Sequence, residues 1–222
     1  MTVALPRRLL GEAVGAFFLF ATVVGSGIMA ERLAGGNVAV ALLANTMATG
    51  AILFVLITMI GPISGAHFNP AVSLVAAMRG DLRWWDAMAY SVVVSLGGIV
   101  GVWAAHLMFD LPILQWSVRP RSGIGQWMGE GIATFGLIMT IVGTVRHRPS
   151  WVPISVACYI SAAYWFTSST SFANPAITVA RSLTDSFAGI APADVGMFMV
   201  AQLAGAVTGA IFASALFDSP PP

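Results

Sequence analysis

Charge is scarce in this chain of 222 residues: only 9% of them are charged, and 58% are hydrophobic. Soluble domains carry about 25% charged residues, so this composition excludes an ordinary soluble domain and indicates a protein embedded in lipid. The formal net charge of +1 gives no electrostatic basis for binding nucleic acid. We therefore expect the lipid bilayer, and no nucleic acid, as a partner.

Cysteine and histidine are also rare, with one Cys and three His. The single Cys158 cannot form an internal disulfide, and its apolar neighbours predict a buried thiol. No second His or Cys has ligand spacing to His67, and no nucleophile stands in a pattern with a base. The sequence thus predicts no metal site, no cofactor and no enzymatic activity.

Long hydrophobic runs dominate what is present. A helix needs about 20 apolar residues to cross a bilayer; six stretches qualify or come close, and two shorter segments reach only about halfway. The first run exceeds the core of a secretory signal and has a counterpart later in the chain, so we interpret it as a retained span. The predicted spans are 9–30, 38–60, 84–108, 126–145, 151–168 and 194–217, and the short segments are 70–79 and 175–183.

The second half of the chain repeats the first. Gly11-Glu12 aligns with Gly129-Glu130, and the triplet Asn-Pro-Ala occurs at 69–71 and again at 174–176. Because each repeat has three full crossings, the second copy must be inverted relative to the first. We predict one all-α transmembrane domain over 1–222, with six transmembrane helices plus two re-entrant half-helices. Its parts are repeat one at about 7–108, a linking loop at about 109–125 and repeat two at about 126–217.

Pairs of glycines four residues apart recur in the predicted spans. Small residues let membrane helices approach closely, so we predict close helix contacts at these pairs. The pairs are Gly11/Gly15, Gly97/Gly101 and Gly205/Gly209.

Each triplet, Asn69-Pro70-Ala71 and Asn174-Pro175-Ala176, has the chemistry of a helix start. Asn is a favoured N-cap, and Pro suits the first helical position. A helix that begins inside a bilayer leaves unwound backbone there, which is tolerated only when it is buried in protein or lines a watery cavity. Two half-helices meeting at their starts would place two positive dipole ends and two Asn amides in one lumen. Such a centre repels cations and suits neutral hydroxylated solutes, so we predict a pore.

With these motifs the sequence resembles the major intrinsic protein family, the aquaporins and aquaglyceroporins. The resemblance rests on both triplets, on the run from Gly61 to Val72, on the matched Glu12 and Glu130, and on Gln202 before Leu203-Ala204-Gly205-Ala206. It covers essentially the whole chain. It implies six tilted helices with two half-helices, an aquaporin-like pore in every subunit and a homotetramer.

Basic residues predict the orientation, because cytoplasmic loops carry an excess of them. With both termini inside, six arginines are cytoplasmic and three lie outside. We therefore predict cytoplasmic termini, and the resemblance implies a multi-pass protein of the bacterial inner membrane. The inner set is Arg7, Arg8, Arg79, Arg83, Arg146 and Arg148, and the outer set is Arg32, Arg119 and Arg121.

Glu12 and Glu130 are carboxylates inside predicted spans, where an ionisable residue is a functional hypothesis by default. Each could relay protons, or each could accept hydrogen bonds from the unwound backbone of a re-entrant loop, and we favour the second role. His67 precedes the first triplet by two residues, and the resemblance implies that it lies near the lumen with a backbone-carbonyl role. We predict that these three residues support the pore loops.

The chain departs from the family at the outer constriction. Most family members carry Arg three residues after the second Asn, and this chain has Ile177 there. Counting along the matched segments places the four constriction positions at Thr49, Ala162, Ser171 and Ile177. This set contains no aromatic ring and no cation. The resemblance therefore implies a wide, mildly apolar filter, in a bacterial branch with an aliphatic residue in place of the filter arginine.

Arg181 is a further candidate for the filter. It lies four residues after Ile177, on nearly the same helix face, and its side chain would lean back toward the filter. It could instead pair with Asp185, also four residues away, in the outer vestibule. The sequence leaves both possibilities open.

Together these features predict a passive channel for small uncharged solutes and water. A wide filter with hydroxyls from Thr49 and Ser171 suits glycerol-like polyols, urea and neutral metalloid hydroxides such as arsenous acid. The run from Asn174 to Ile190 resembles a bacterial branch often associated with arsenic resistance. Two alternatives stay open: a water-selective pore completed by Arg181, and a proton-coupled secondary transporter, since inverted repeats with discontinuous helices also occur in transporters.

Overall fold

The structure, a computed structural model, describes residues 3–218, and every regular element in that range is helical. A short 3-10 turn at Pro149–Trp151 precedes the sixth α-helix. The predicted all-α fold class is confirmed. The helices are α1 (Leu5–Leu33), α2 (Val38–Ser64), α3 (Pro70–Met78), α4 (Trp84–Met108), α5 (Ile124–His147), α6 (Val152–Phe166), α7 (Pro175–Arg181) and α8 (Pro192–Phe217).

Five helices in the described range are long and apolar enough to cross a membrane: α1, α2, α4, α5 and α8. The expected span at 151–168 is shorter than predicted, because α6 has only 15 residues and reaches about 22 Å. It packs in the same bundle, against α2 and α5. The short helices α3 and α7 have 9 and 7 residues, so each covers about half a membrane or less.

Local chemistry sets both ends of α2. The side chain of Asn37 accepts hydrogen bonds from the N–H groups of Ala39 and Val40, at 3.1 and 3.2 Å, and so caps the first turn. At the other end Gly65 has φ +93°, a left-handed conformation that glycine adopts without strain. The chain leaves α2 there and runs back into the bundle toward α3.

The helix pairings are the same in both halves of the chain. α1 packs along α4, α5 packs along α8, and the second helices of the two halves, α2 and α6, contact each other. Both short helices contact α4 and α8. This arrangement supports the predicted inverted repeat, whose bounds stay a prediction.

Cys158 lies exposed on the outer face of α6, so the prediction of a buried thiol is wrong. Its neighbours Val156, Ala157 and Ile160 do face the core. A membrane helix is apolar on all sides, because its outer face meets lipid. Apolar neighbours therefore do not indicate burial here.

Glycines bring the main helix pairs close together, as predicted for Gly97/Gly101 and Gly205/Gly209. A Cβ atom on Gly101 would collide with the backbone of Phe17 in α1, and one on Gly205 would collide with the backbone of Gly131 in α5. Gly15 acts differently, because it makes room for the ring of Phe68 in the loop before α3. The small residues thus set both a helix spacing and the position of that loop.

Replacing Gly205 by Ala tests this packing. We expect Gly205→Ala to lower the thermal unfolding temperature, because the added methyl group must push α5 and α8 apart at a cost of about 1–3 kcal/mol. Gly196→Ala is the matched control in α8, since a Cβ atom there meets no heavy atom within 4 Å. Thermal melts of the detergent-solubilised variants make the comparison. Equal melting temperatures for the two variants would contradict the close contact.

Candidate pore site

The two triplets form two helix starts inside the bundle. α3 begins at Pro70 and α7 begins at Pro175, directly after Asn69 and Asn174. Each Asn side-chain oxygen accepts the N–H group of the third residue of its triplet, at 2.9 Å for Ala71 and 3.0 Å for Ala176. Each Asn therefore satisfies a donor that the first turn would leave unpaired.

The Asn amides also join the two halves of the chain. Asn69 donates through Nδ2 to the carbonyl of Ala173 at 2.7 Å, and Asn174 donates through Nδ2 to the carbonyl of Phe68 at 2.8 Å. The two bonds are reciprocal, so each re-entrant loop fastens the helix start of the other. Each amide retains a second hydrogen, and both side chains line a cavity.

Two buried carboxylates hold the unwound loops. Glu12 accepts the backbone N–H groups of the two residues before Asn69, at 2.9 and 2.7 Å. Glu130 accepts those of the two residues before Asn174, both at 2.8 Å. Neither carboxylate has any exposed surface. Each Glu thus stabilises backbone donors that would otherwise be unpaired at membrane depth.

A polar side chain donates a third hydrogen bond to each carboxylate. Ser64 donates its hydroxyl to Glu12, and Gln202 donates through Nε2 to Glu130, both at 2.6 Å. His67 lines the cavity, and its Nδ1 lies 2.9 Å from the hydroxyl oxygen of Ser73. Each of the two carboxylates thus accepts hydrogen bonds from three donors of the protein.

The loops need this support because their backbone is strained. Residues other than glycine adopt positive φ in both loops, a conformation that costs about 1–3 kcal/mol when the side chain has a Cβ. Surrounding contacts must therefore hold this conformation. The carboxylates of Glu12 and Glu130 accept hydrogen bonds from backbone N–H groups in these same loops. The residues are Ala66 (φ 50°) and Phe68 (49°) in the first loop, and Thr170 (62°), Ser171 (51°) and Ala173 (47°) in the second.

Both Asn residues line one cavity of about 590 Å³. Aliphatic side chains from α1, α2, α5 and α6 form much of its wall. Charged residues lie at one end, namely Arg79, Asp81, Arg146 and Asp218. The opposite end is lined by Thr49, Tyr164, Ser171, Ile177 and Arg181.

Three of the four predicted constriction residues, Thr49, Ser171 and Ile177, line this second end. The prediction for Ala162 is wrong, because its side chain is exposed on the outer face of α6. Tyr164, two residues later, lines the cavity instead, because two residues turn an α-helix by about 200°. Its hydroxyl lies 3.2 Å from Thr49 Oγ1. The end of the cavity therefore carries an aromatic ring, contrary to the expectation of none.

Arg181 belongs to the cavity and does not pair with Asp185. It is 2% exposed, its Nε donates to the carbonyl of Ala188, and its Cζ lies 3.4 Å from the centre of the Phe172 ring. Asp185 instead accepts the N–H group of Val118 at 3.2 Å. A fixed cation thus lies beside the predicted filter, which is less apolar than the count along the sequence implied.

Arg121, which the sequence predicted only as an outer-loop residue, is a second arginine at this end. Its Nε donates to the carbonyl of Gly189 at 2.8 Å, its Nη1 donates to the carbonyl of Ser169 at 3.2 Å, and its Cζ lies 5.0 Å from the Phe172 ring centre. Burial lowers the pKa of Arg121 to about 10, so it stays charged at neutral pH. Nothing in its sequence surroundings distinguishes it from the other loop arginines.

At the charged end of the cavity, Arg79 joins the end of α3 to the end of α8. Its two Nη atoms donate to the Asp218 carboxylate, both at 3.2 Å, and Nη1 also donates to Ser214 at 2.8 Å. The hydrogen bond from Arg79 lowers the pKa of Asp218, so the pair stays ionised at neutral pH. Across residues 3–218, no group of three or more His, Cys, Asp or Glu could hold a metal ion.

Comparison with known proteins places these features in a family. The sequence model of the family Major intrinsic protein matches residues 1–171. The chain is 55% identical to the aquaglyceroporin AqpS of Rhizobium meliloti (strain 1021) over 203 residues, which are 91% of this chain and 87% of that relative. It is 28% identical to Aquaporin NIP3-1 of Arabidopsis thaliana over an alignment that covers 95% of this chain and 67% of that relative.

A solved structure shares the fold. The X-ray structure of the aquaglyceroporin from Plasmodium falciparum superposes with a TM-score of 0.71 at 20% sequence identity. The superposition covers 96% of this chain and 97% of that one. At this identity the likeness concerns the fold alone.

Substituting Glu130 by Gln tests the support of the second loop. The variant keeps the size of the side chain but removes the charge and turns an amide group toward backbone donors. We expect a loss of stability of about 2–3 kcal/mol, measured in thermal or denaturant unfolding of the detergent-solubilised protein. Glu31→Gln, which alters an exposed carboxylate paired with Arg119, should change stability by less than about 0.5 kcal/mol. Equal losses for both variants would contradict the loop-support role.

Proposed function

The chain belongs to the major intrinsic protein family, and we propose that this membrane channel for water and small solutes passes uncharged solutes larger than water. These solutes are glycerol-like polyols, urea and neutral metalloid hydroxides such as arsenous acid. The observation that carries the proposal is the cavity itself, in which two Asn amides face walls that are otherwise largely aliphatic. A polyol can bond to such amides along one side and pack its carbon chain along the other.

Ile177 supports passage of solutes larger than water. An uncharged, compact side chain at this position leaves room that a guanidinium group would fill. The hydroxyls of Thr49, Tyr164 and Ser171 at the same end could bond to a hydroxylated solute. The name of the 55% identical relative, an aquaglyceroporin, agrees with this assignment.

A water-selective pore is the second candidate, and Arg181 favours it. Arg181 and Tyr164 both line the cavity. Arg181 lies one helical turn after Ile177 on α7, and its guanidinium group could narrow the path there. We propose that it acts there as the fixed cation of the filter, which would oppose the passage of protons and other cations.

A proton-coupled transporter is disfavoured by the state of the two carboxylates. Glu12 and Glu130 each accept two backbone N–H groups and one side-chain donor. Both oxygens of each carboxylate are thus engaged by donors of the protein, and the residues that line the cavity do not include Glu12 or Glu130. We propose that both residues are structural and that the chain acts as a channel, not as an enzyme.

We further propose the assembly and orientation that the family resemblance and the arginine distribution imply. Four copies would form a homotetramer in a bacterial plasma membrane, with both termini in the cytoplasm. Native mass spectrometry of the solubilised protein and labelling of a cysteine added at a terminus would measure these two properties.

Stopped-flow light scattering of proteoliposomes tests the solute assignment. We expect water, glycerol, urea and arsenous acid each to pass faster than in protein-free liposomes, and an imposed pH gradient to leave these rates unchanged. Water flux without glycerol flux would favour the water-selective pore. Uphill solute accumulation driven by the pH gradient would overturn the channel assignment.

Introducing the missing arginine tests the filter. We expect Ile177→Arg to lower glycerol flux several-fold more than water flux, because the guanidinium group would fill the cavity beside Arg181. Ala162→Leu is the control, since it adds volume to α6 on the outer face. Its fluxes should match those of the unsubstituted protein. Unchanged glycerol flux in Ile177→Arg would remove Ile177 from the narrowest point.

A further inference from the structure

Two arginine side chains with no ion-pair partner in the described chain meet at one aromatic ring near the end of the cavity that Arg181 lines. The guanidinium groups of Arg181 and Arg121 both lie over the Phe172 ring. None of the ion pairs in residues 3–218 involves either of them. A buried cation without a carboxylate partner is costly, and Arg181, which lines the cavity, is such a cation.

The acidic groups nearest to them are already occupied. The Glu130 carboxylate accepts from the N–H group of Phe172, from that of Ala173 and from Gln202. Asp194 accepts the backbone N–H group of Arg121, and Asp185 accepts that of Val118. The arginines themselves bond to carbonyl oxygens, which are dipoles and not charges. Within the part of the chain that the structure describes, neither guanidinium group therefore has a carboxylate as its direct partner.

Arg181 presents free donors to the cavity. Its Nε bonds to Ala188, whereas its two Nη atoms have no partner among the described residues. The hydroxyl of Ser171, which lines the same end, is buried and also has no hydrogen-bond partner in the described chain. The parallel N–H groups of a guanidinium fork match the two oxygens of a small planar oxyanion.

We propose that this end of the cavity binds a small monovalent oxyanion, such as nitrate or formate, between the Nη atoms of Arg181 and the hydroxyl of Ser171, and that the bound anion obstructs the channel. The inference rests on the proposed pore, because an anion at this place would stand in the path of any solute. It adds a regulating ligand to a channel whose substrates carry no charge.

Water flux in proteoliposomes at pH 7.5 tests the obstruction, with sodium nitrate at equal concentration on both sides. We expect flux to fall to a plateau as nitrate rises, and the bulky sulfonate anion MES at matched ionic strength to have no such effect. In Arg181→Met the nitrate concentration for half-maximal block should rise about tenfold or more, the size expected when a charge-assisted hydrogen bond is lost. Arg119→Gln, an outer arginine paired with Glu31, should keep the unsubstituted response.

Two further measurements keep the test decisive. Ser171→Ala retains the cation, so it should fold and raise the half-blocking nitrate concentration by about threefold. Nitrate should also raise the melting temperature of the detergent-solubilised protein, a measurement that requires no transport. Absence of water flux would count against the proposed pore, and the melting experiment would then still test the anion site. If nitrate changes neither the water flux nor the melting temperature, the anion site is overturned. The same holds if MES has an effect equal to that of nitrate. If nitrate raises the melting temperature without blocking water flux, the site does not lie in the path of the solute.

Discussion

Backbone N–H groups at membrane depth need hydrogen-bond partners, and this need shapes the fold around both re-entrant loops. α3 and α7 begin inside the bundle, so the loops before them carry donors where lipid offers no acceptor. Glu12 and Glu130 accept two such donors each. The dependence is mutual, because an ionised carboxylate without any donor would itself be strongly unfavourable in this place. Loop and carboxylate therefore stabilise each other.

The crossed amide bonds follow from that support. Once the two loops are fixed, Asn69 reaches the carbonyl of Ala173 and Asn174 reaches that of Phe68. Both halves of the chain use the same elements for this purpose, and the close helix contacts at Gly101 and Gly205 hold each half together. A pore with a polar centre results, although most of its wall is aliphatic.

The two ends of the cavity do not share this symmetry. At one end Arg79 is paired with Asp218, so its charge is balanced. At the other end Arg181 and Arg121 share the Phe172 ring without a carboxylate partner. The asymmetry arises from the second re-entrant loop and from the linker that supplies Arg121, whereas the centre is shared by both halves.

Local sequence patterns were enough to predict the helix starts at the triplets and the long apolar spans. They also predicted the matched pair Glu12 and Glu130. Capping, span length and repetition are local properties, and each can be read from a few neighbouring residues. The tertiary structure decided which faces of the helices point inward. Cys158 was misplaced because lipid and protein core both accept apolar surface. Ala162 was misplaced because an error of two residues in a count along the chain turns the helix face by about 200°. Arg121 was missed because the fold of a long linker brings it to Phe172.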